Sequence, residues 1–219
     1  MGPNNKVLIE ACVTSLEEAL ACEAAGADRV ELCVDLTVGG LTPPIDLTHE
    51  VCEQLSIPVM AMIRPHAESF YVSPVTAHTM LRQIEQIASC NVAGLVLGVL
   101  DEDDHVNVAL LQEIVLAADE LPVTFHRAFD ETPDLIKAAE KLIEAGVTRV
   151  LTGGGPQSAW DGRNQLKKLV TNYNNRLIIL GGGSVRADHV ANLIQATGLT
   201  EIHARAFAIP AIIAGTVPG

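Results

Sequence analysis

Short apolar runs alternate along this chain with longer segments in which apolar residues recur at the spacing of one helix face. Gly26, Gly146 and Gly198 each stand between the end of a helical pattern and an apolar run. Glycine just past a helix adopts the left-handed cap conformation, and a continuous apolar run is typical of a strand buried on both faces of a parallel sheet. The pattern therefore predicts strands and helices in alternation around one parallel sheet.

The pattern predicts eight strands and seven helices. The strands are placed at Val7–Cys12, Arg29–Cys33, Pro58–Arg64, Gly94–Val99, Pro122–His126, Arg149–Thr152, Leu177–Leu180 and Glu201–His203. The helices are placed at Leu16–Ala25, Leu47–Leu55, Val75–Ser89, Val108–Glu120, Pro133–Ala145, Gly162–Asn172 and Asp188–Ala196. Thr132 followed by Pro133 predicts the start of the fifth helix, because threonine caps helix N-termini and proline fits the first turn.

Eight strand and helix units favour a closed (β/α)8 barrel of the TIM type over an open doubly wound sheet. An open sheet would have fewer strands, and its first loop usually carries phosphate-binding glycines, whereas the loop here is Val13-Thr14-Ser15. No Pro/Ser-rich linker or charge run interrupts residues 1–219. We therefore predict a single α/β domain.

The last predicted strand is followed by a segment without helical patterning. Residues 204–219 contain Pro210 and almost no charge, which predicts a short, irregular apolar tail in place of an eighth helix. Apolar surface left uncovered at that position would favour self-association. We therefore expect a homodimer or a higher homo-oligomer.

Charge and composition argue against several classes of protein. The formal net charge of −13 disfavours binding to nucleic acid or to anionic membrane surfaces, because both need a basic surface. No stretch has the pattern of a signal peptide or the length of a membrane span. Five cysteines are an odd number without a compact disulfide framework, which is typical of reduced thiols. We therefore expect a cytoplasmic protein.

Polar residues gather where the predicted strands end. The residues at these ends are Glu10, Cys12, Glu31, Cys33, Arg64, His126, Arg127, Asp130, Glu201 and His203. In (β/α)8 barrels the carboxyl ends of the strands carry the functional site. Polar capping of strands at the solvent boundary is the alternative, but glutamate and arginine inside apolar runs need partners when buried. The sequence therefore predicts a functional mouth at this end of the barrel.

Seven motifs resemble those of the CutC family, named for copper homeostasis, in order and at the family's spacing from about residue 8 to residue 203. They are Glu31-Leu32-Cys33, Gly39-Gly40-Leu41-Thr42-Pro43, Ile63-Arg64-Pro65, Gly98-Val99-Leu100, Thr124-Phe125-His126-Arg127-Ala128-Phe129-Asp130, Leu151-Thr152-Gly153-Gly154 and Gly181-Gly182-Gly183-Ser184-Val185-Arg186. The resemblance implies a cytoplasmic barrel that takes part in copper tolerance and intracellular copper handling. Oligomers are common among its members.

Cys12 and Cys33 are the candidate metal ligands, and they match cysteines typical of the family at these strands. Neighbouring parallel strands lie about 4.8 Å apart, so thiols at the tips of strands one and two face one another. Cu(I) is a soft ion that prefers thiolate, thioether or imidazole. The first hypothesis is Cu(I) binding through both cysteines, with His126 or His203 as accessory ligands. The alternative is a pair of packed thiols, since the chain has neither Cys-x-x-Cys nor a Met-rich run.

An enzyme acting on a small phosphorylated metabolite is a different class of hypothesis. Glycine runs follow strands six and seven, where such barrels often hold phosphate on backbone N–H groups. The candidate anion-binding residues are Arg64, Arg127, Gly153, Gly154, Gly182 and Gly183. The candidate catalytic residues for proton transfer, as in a lyase or isomerase, are Glu31, His126, Asp130 and His203. In this hypothesis Asp130 or Glu31 orients His126. Tight turns and structural histidines are the simpler explanation of these residues, and a non-catalytic oligomeric scaffold is a third possibility.

Overall fold

Eight parallel strands close into a barrel in the order in which they occur along the chain. The computed structural model describes residues 6–155, 158–173 and 175–216. The strands are β1 (Leu8–Val13), β2 (Arg29–Leu32), β3 (Val59–Met62), β4 (Gly94–Leu97), β5 (Val123–Phe125), β6 (Arg149–Thr152), β7 (Ile178–Gly181) and β8 (Glu201–Arg205). The prediction of a closed barrel is confirmed, and the register of β1 with β8 excludes an open sheet.

Helices surround the barrel, one after each strand. They are α1 (Leu16–Ala25), α2 (Ile45–Gln54), α3 (Pro74–Ala88), α4 (Val108–Ala117), α5 (Leu135–Glu144), α6 (Arg163–Tyr173), α7 (Val190–Thr197) and α8 (Ile209–Thr216). Three short 3-10 segments lie at Leu36–Val38, Arg127–Glu131 and Ala206–Ala208. Within the described ranges, no helix is long and apolar enough to cross a membrane.

Helix α5 begins at a different residue from the one predicted. Its N-cap is Asp134, whose carboxylate accepts hydrogen bonds from the backbone N–H of Ile136 and Lys137. The Thr132 hydroxyl instead donates to the carbonyl of Phe129, at the end of the 3-10 segment. The prediction that Thr132 caps this helix is therefore wrong, because its side chain closes the preceding turn.

Helix α8 stands where the sequence predicted an irregular tail at 204–219. Residues 204 and 205 extend β8, and residues 209–216 are helical, while 217–219 lie outside the described residues. Pro210 occupies the first turn, where its missing N–H costs nothing. Ile209 and Ile212 are fully buried, and α8 contacts both α7 and α1, so the ring of helices closes. Packing therefore stabilises α8, although the sequence pattern does not indicate a helix there. The homo-oligomer remains a prediction.

The interior of the barrel differs from the layer between strands and helices, because successive side chains of a strand point to opposite faces. Outward residues of the strands join the helices in one large apolar core. A separate, smaller cluster fills part of the inside of the barrel, and it consists of Cys12, Cys33, Met60, Met62 and Val96. The inside is therefore built largely from sulfur atoms and polar groups.

Buried charges hold the strands together on the inside. Arg29 donates to Glu10 and, at 2.6 Å, to Oε2 of Glu201. Arg149 donates to the same Oε2 atom at 2.7 Å and to the hydroxyl of Thr124 at 3.2 Å. Buried charges are tolerated only when opposite charges and hydrogen bonds offset the loss of water. These contacts satisfy that requirement and join β1, β2, β5, β6 and β8.

Glu201→Gln removes the carboxylate that both arginines share, so we expect the free energy of unfolding to fall by about 3 to 5 kcal/mol. The matched control is Glu140→Gln, which breaks the exposed ion pair with Arg176 and costs less than about 1 kcal/mol. Urea unfolding followed by the fluorescence of Trp160 measures both changes. Equal small losses for the two variants would contradict the stabilising role of Glu201.

Candidate functional site

An open cavity of about 630 Å³ lies at the carboxyl ends of the strands. Of the residues predicted for the site, seven line this cavity: Cys12, Glu31, Arg64, His126, Arg127, Gly183 and His203. Its wall also includes Met62, Phe70, Ser184, Val185, Arg186, Arg205 and Phe207. The strand ends thus bring most of the predicted residues to one place, while Asp130, Gly153, Gly154, Gly182 and Cys33 are not part of its lining.

A thiol pair lies at the side of the cavity formed by β1 and β2. Sγ of Cys12 is 3.7 Å from Sγ of Cys33, and it also lies 3.7 Å from a carboxylate oxygen of Glu31. Both cysteines are buried. The hydrogen bond with Cys33, burial and the nearby charge of Glu31 raise the pKa of the Cys12 thiol well above its usual range. The predicted meeting of the two thiols therefore exists, and in the absence of a metal Cys12 is protonated.

Glu31 completes the only group of three close metal-ligand atoms around the thiols in the described part of the chain. Neither His126 nor His203 belongs to this group, so the structure does not bring the expected accessory imidazoles to the cysteines. Met62 and Met60 pack against the same thiols instead. A thioether is as suitable for a soft ion as an imidazole is.

A second carboxylate and an imidazole lie next to Glu31. Nδ1 of His203 is 2.9 Å from Glu10, which lies beneath the cavity and is fully buried. Burial acts to raise the pKa of Glu10, but the hydrogen bond with His203 and the charge of Arg29 outweigh it and lower the pKa to about 2. Burial lowers the pKa of His203, but the carboxylates of Glu31 and Glu10 raise it above the usual value. Burial, together with the charge of Glu10, raises the pKa of Glu31 to about 7.

His126 lies at the end of β5, and backbone rather than carboxylate groups orient it. Its Nδ1 accepts a hydrogen bond from the N–H of Ala128 at 3.1 Å, which leaves the proton on Nε2. Nε2 has no partner among the described residues although it is buried. Burial, with a contribution from the charge of Arg64, lowers the pKa of His126 to about 3. His126 is therefore a neutral hydrogen-bond donor, and the expected pairing with Asp130 or Glu31 is absent.

Asp130 binds the loop after β6 instead of taking part in the cavity. Its carboxylate accepts from the N–H of Gly153 at 2.9 Å and of Gly155 at 3.0 Å, and also from the hydroxyl of Thr152. It forms an ion pair with Arg127 at 2.8 Å. The prediction that Asp130 serves proton transfer finds no geometric support, because these contacts occupy its oxygens.

The contacts of this loop show that several N–H groups of the predicted anion site are not available to a ligand. The N–H of Gly154 donates to the hydroxyl of Thr152 at 2.8 Å, and the N–H of Gly182 donates to the carbonyl of Thr152 at 3.0 Å. Together with the bonds from Gly153 to Asp130, these contacts use the N–H groups that the sequence assigned to a ligand. An internal carboxylate has taken the position expected for an external anion.

Arg64 supports the loop between β2 and α2. Its guanidinium donates to the carbonyls of Val38 at 2.8 Å and Gly40 at 3.0 Å, and it lies 4.8 Å above the ring of Phe70. Burial lowers the pKa of Arg64, and no carboxylate among the described residues lies at ion-pair distance. This arginine therefore brings an uncompensated positive charge to the cavity wall.

Sequence reasoning missed the partners of the strand-end glutamates. Arg29 and Arg149 each begin a strand that is otherwise apolar, and a charge in such a run was the available signal. Met62 is the last residue of β3, and alternation along the predicted strand Pro58–Arg64 was the available signal that it shares the inner face with Arg64. Arg205 lies beyond the predicted end of β8, and no pattern in the sequence marked it.

The fold and this cavity define a (β/α)8-barrel protein with a buried thiol, thioether and carboxylate cluster at the carboxyl ends of its strands. The chain belongs to the CutC family, whose sequence model matches residues 7–208. The family predicted from the motifs is thus confirmed.

Relatives and solved structures agree with this assignment. The chain is 37% identical to the human copper homeostasis protein cutC homolog over 205 residues, which cover 94% of this chain and 75% of the human protein. It is 38% identical to a CutC family protein of Pasteurella multocida (strain Pm70), over 89% of this chain and 80% of that protein. The crystal structure of CutC from Streptococcus agalactiae superimposes with a TM-score of 0.87 at 31% identity, covering 91% of this chain and 98% of that one.

His126→Asn tests the neutral state of this histidine. In the folded protein its pKa is about 3, against 6.5 for an unperturbed imidazole, so between these values the unfolded chain binds a proton that the folded chain does not. Stability therefore falls as the pH decreases from about 6.5, by about 2 to 3 kcal/mol at about pH 4.5. The variant, whose Oδ1 can accept from Ala128, loses this part of the pH dependence.

The measurement is urea unfolding at about pH 7 and about pH 4.5, with the wild-type chain and the exposed-histidine variant His49→Asn as references. His49→Asn keeps the wild-type pH dependence. An NMR titration in which His126 ionises near pH 6.5 would show the expectation to be wrong.

Proposed function

We propose that this protein serves copper homeostasis by binding Cu(I) through Cys12 and Cys33. The observation that carries the proposal is the distance of 3.7 Å between two buried thiols, of which that of Cys12 lines the cavity and that of Cys33 lies behind it. The copper homeostasis proteins among its relatives support the same function. In this function copper is the substrate, which the protein receives and releases.

The surroundings of the thiols suit a soft monovalent ion. Thiolate and thioether ligands select Cu(I) over harder ions, and low coordination numbers satisfy it. A methyl group added at Gly40 would lie 3.2 Å from Sγ of Cys33 and 3.5 Å from the terminal methyl of Met62, and Cys12, Cys33 and Met62 belong to one buried cluster, so this methionine is at hand as a third ligand. Binding displaces the thiol proton of Cys12. Cys12, Cys33 and Met62 then supply three sulfur ligands.

The proposed location is the cytoplasm, where thiols stay reduced and copper is held as Cu(I). The five cysteines are free in the structure, which is consistent with a reducing compartment. The proposed assembly is a homodimer or a higher homo-oligomer, and the exposed side chain of Phe207 beside the cavity is one apolar contact available for it. Sedimentation of a strict monomer would remove this part of the proposal.

Cys12→Ser with Cys33→Ser removes both thiolates, so we expect the stoichiometric Cu(I) site to be lost. The measurement is an anaerobic competition titration against a chromogenic Cu(I) chelator. The matched control is Cys22→Ser with Cys90→Ser, which removes two buried thiols outside the cavity and leaves the stoichiometry and affinity unchanged. Unchanged Cu(I) binding in the Cys12 and Cys33 variant would end the proposal.

Met62→Leu preserves the volume of the side chain and removes its sulfur, so the fold remains and Cu(I) affinity falls several-fold. Met80→Leu is the control, because Met80 is equally buried but packs in the apolar core outside the barrel. X-ray absorption at the copper edge measures the number of sulfur neighbours. A third sulfur that persists in the Met62 variant would contradict the role of this thioether.

A further inference from the structure

Arginines concentrate at the cavity of a strongly acidic chain. Four of the 14 basic residues line it, together with only two glutamates, although the net charge of the chain is −13. Arg64, Arg186 and Arg205 have no carboxylate within ion-pair distance among the described residues. Within the described ranges, the side chain of Arg205 donates only to the carbonyl of Leu36, at 3.3 Å. Uncompensated arginines around a concave surface attract anions.

Backbone N–H groups add to this positive wall on the side of β7. Gly183, Ser184 and Val185 line the cavity, and within the described ranges their N–H groups donate to no protein acceptor. The neighbouring loop after β6 shows what such groups bind, because Gly153 and Gly155 hold the carboxylate of Asp130. The loop after β7 offers the same kind of donors and has no internal carboxylate on them.

Two residues that line the cavity, Glu31 and His126, each have a buried polar atom without a partner among the described residues. Oε2 of Glu31 and Nε2 of His126 make no hydrogen bond to the described residues, and the two side chains are 2% and 4% exposed. A buried polar atom without a partner is costly, so such atoms in a cavity wall indicate a ligand or water that bonds to them. One of these atoms accepts hydrogen bonds and the other donates them, as required for hydroxyl groups.

A Cu(I) ion at the thiols does not account for these features. His126 follows β5, which lies opposite β1 in the ring of eight strands, and it is not in the cluster of Cys12, Glu31 and Cys33. Arg186 and Arg205 are cations, and cations repel a metal ion. The cavity volume of about 630 Å³ also lies in the range of pockets that bind small organic molecules.

We propose that this cavity binds a phosphate monoester of a small hydroxylated molecule, the chemical class of the sugar phosphates. Arg186, Arg205 and the N–H groups of Gly183, Ser184 and Val185 hold the phosphate. The hydroxyl groups of the ligand reach Glu31 and His126 deeper in the cavity. This proposal does not rest on the proposed copper function, although Glu31 borders both sites, and it implies no reaction.

The test is calorimetric titration of the metal-free full chain with ribose 5-phosphate, glucose 6-phosphate, inorganic phosphate and ribose. We expect saturable binding of at least one sugar phosphate at millimolar concentration or below, weaker binding of inorganic phosphate, and none of ribose. Arg186→Gln with Arg205→Gln weakens sugar phosphate binding by at least about tenfold, since charge-assisted hydrogen bonds are lost. Both arginines are exposed, so the variant folds.

The control variant is Arg82→Gln, which removes an exposed arginine of α3 outside the cavity and leaves binding unchanged. Cys12→Ser with Cys33→Ser retains sugar phosphate binding, whereas the Arg186 and Arg205 variant retains Cu(I) binding, so failure of one proposal is distinct from failure of the other. Absence of binding by both sugar phosphates overturns the inference. Equal binding by wild type and the Arg186 and Arg205 variant, or binding of phosphate as tight as that of its esters, overturns it as well.

Discussion

The neutralisation of the buried arginines inside the barrel depends on the carboxylate of Glu201. Its Oε2 atom accepts hydrogen bonds from both Arg29 and Arg149. Without it, two guanidinium groups would lie among buried residues with one carboxylate, Glu10, to serve them. The same network reaches the cavity through His203, which bonds to Glu10. The ionisation of Glu31 thus depends on charges placed one layer below it.

The strands and the barrel were predictable because their signals are local and repeated. Continuous apolar runs mark the strands, glycines precede β2, β6 and β8, and parallel pairing brings the strand ends to one edge. The meeting of Cys12 with Cys33 followed from the adjacency of β1 and β2, although the register pairs Cys12 with Glu31 and Cys33 lies just beyond the end of β2. Helix α8 was not predictable, because its stability comes from the burial of Ile209 and Ile212 against distant helices.

Within the site, the sequence predicted which residues lie at the cavity better than it predicted what each of them does there. Glu31, His126 and His203 line the cavity as expected. Backbone groups of loops orient His126 and are among the partners of Asp130, and the conformation of these loops is not visible in the sequence. For the same reason, the sequence assigned anion binding to the glycine runs of both loops, whereas in the described part of the chain the N–H groups of Gly153 and Gly155 are bound by Asp130 and those of residues 183–185 have no protein acceptor.

Asp130 binds the loop after β6, so this loop and the loop after β7 differ in how many of their N–H groups remain available to a ligand. The carboxylate of Asp130 already accepts from the N–H groups of Gly153 and Gly155, so this part of the rim is ordered before any ligand binds. Ligand binding therefore requires little reorganisation of this loop. The adjacent part of the rim, at Gly183 and Ser184 after β7, has no such carboxylate on its N–H groups among the described residues. A ligand that enters the cavity therefore contacts one preformed loop, after β6, and one adaptable loop, after β7. We expect the adaptable loop to determine which ligands are selected.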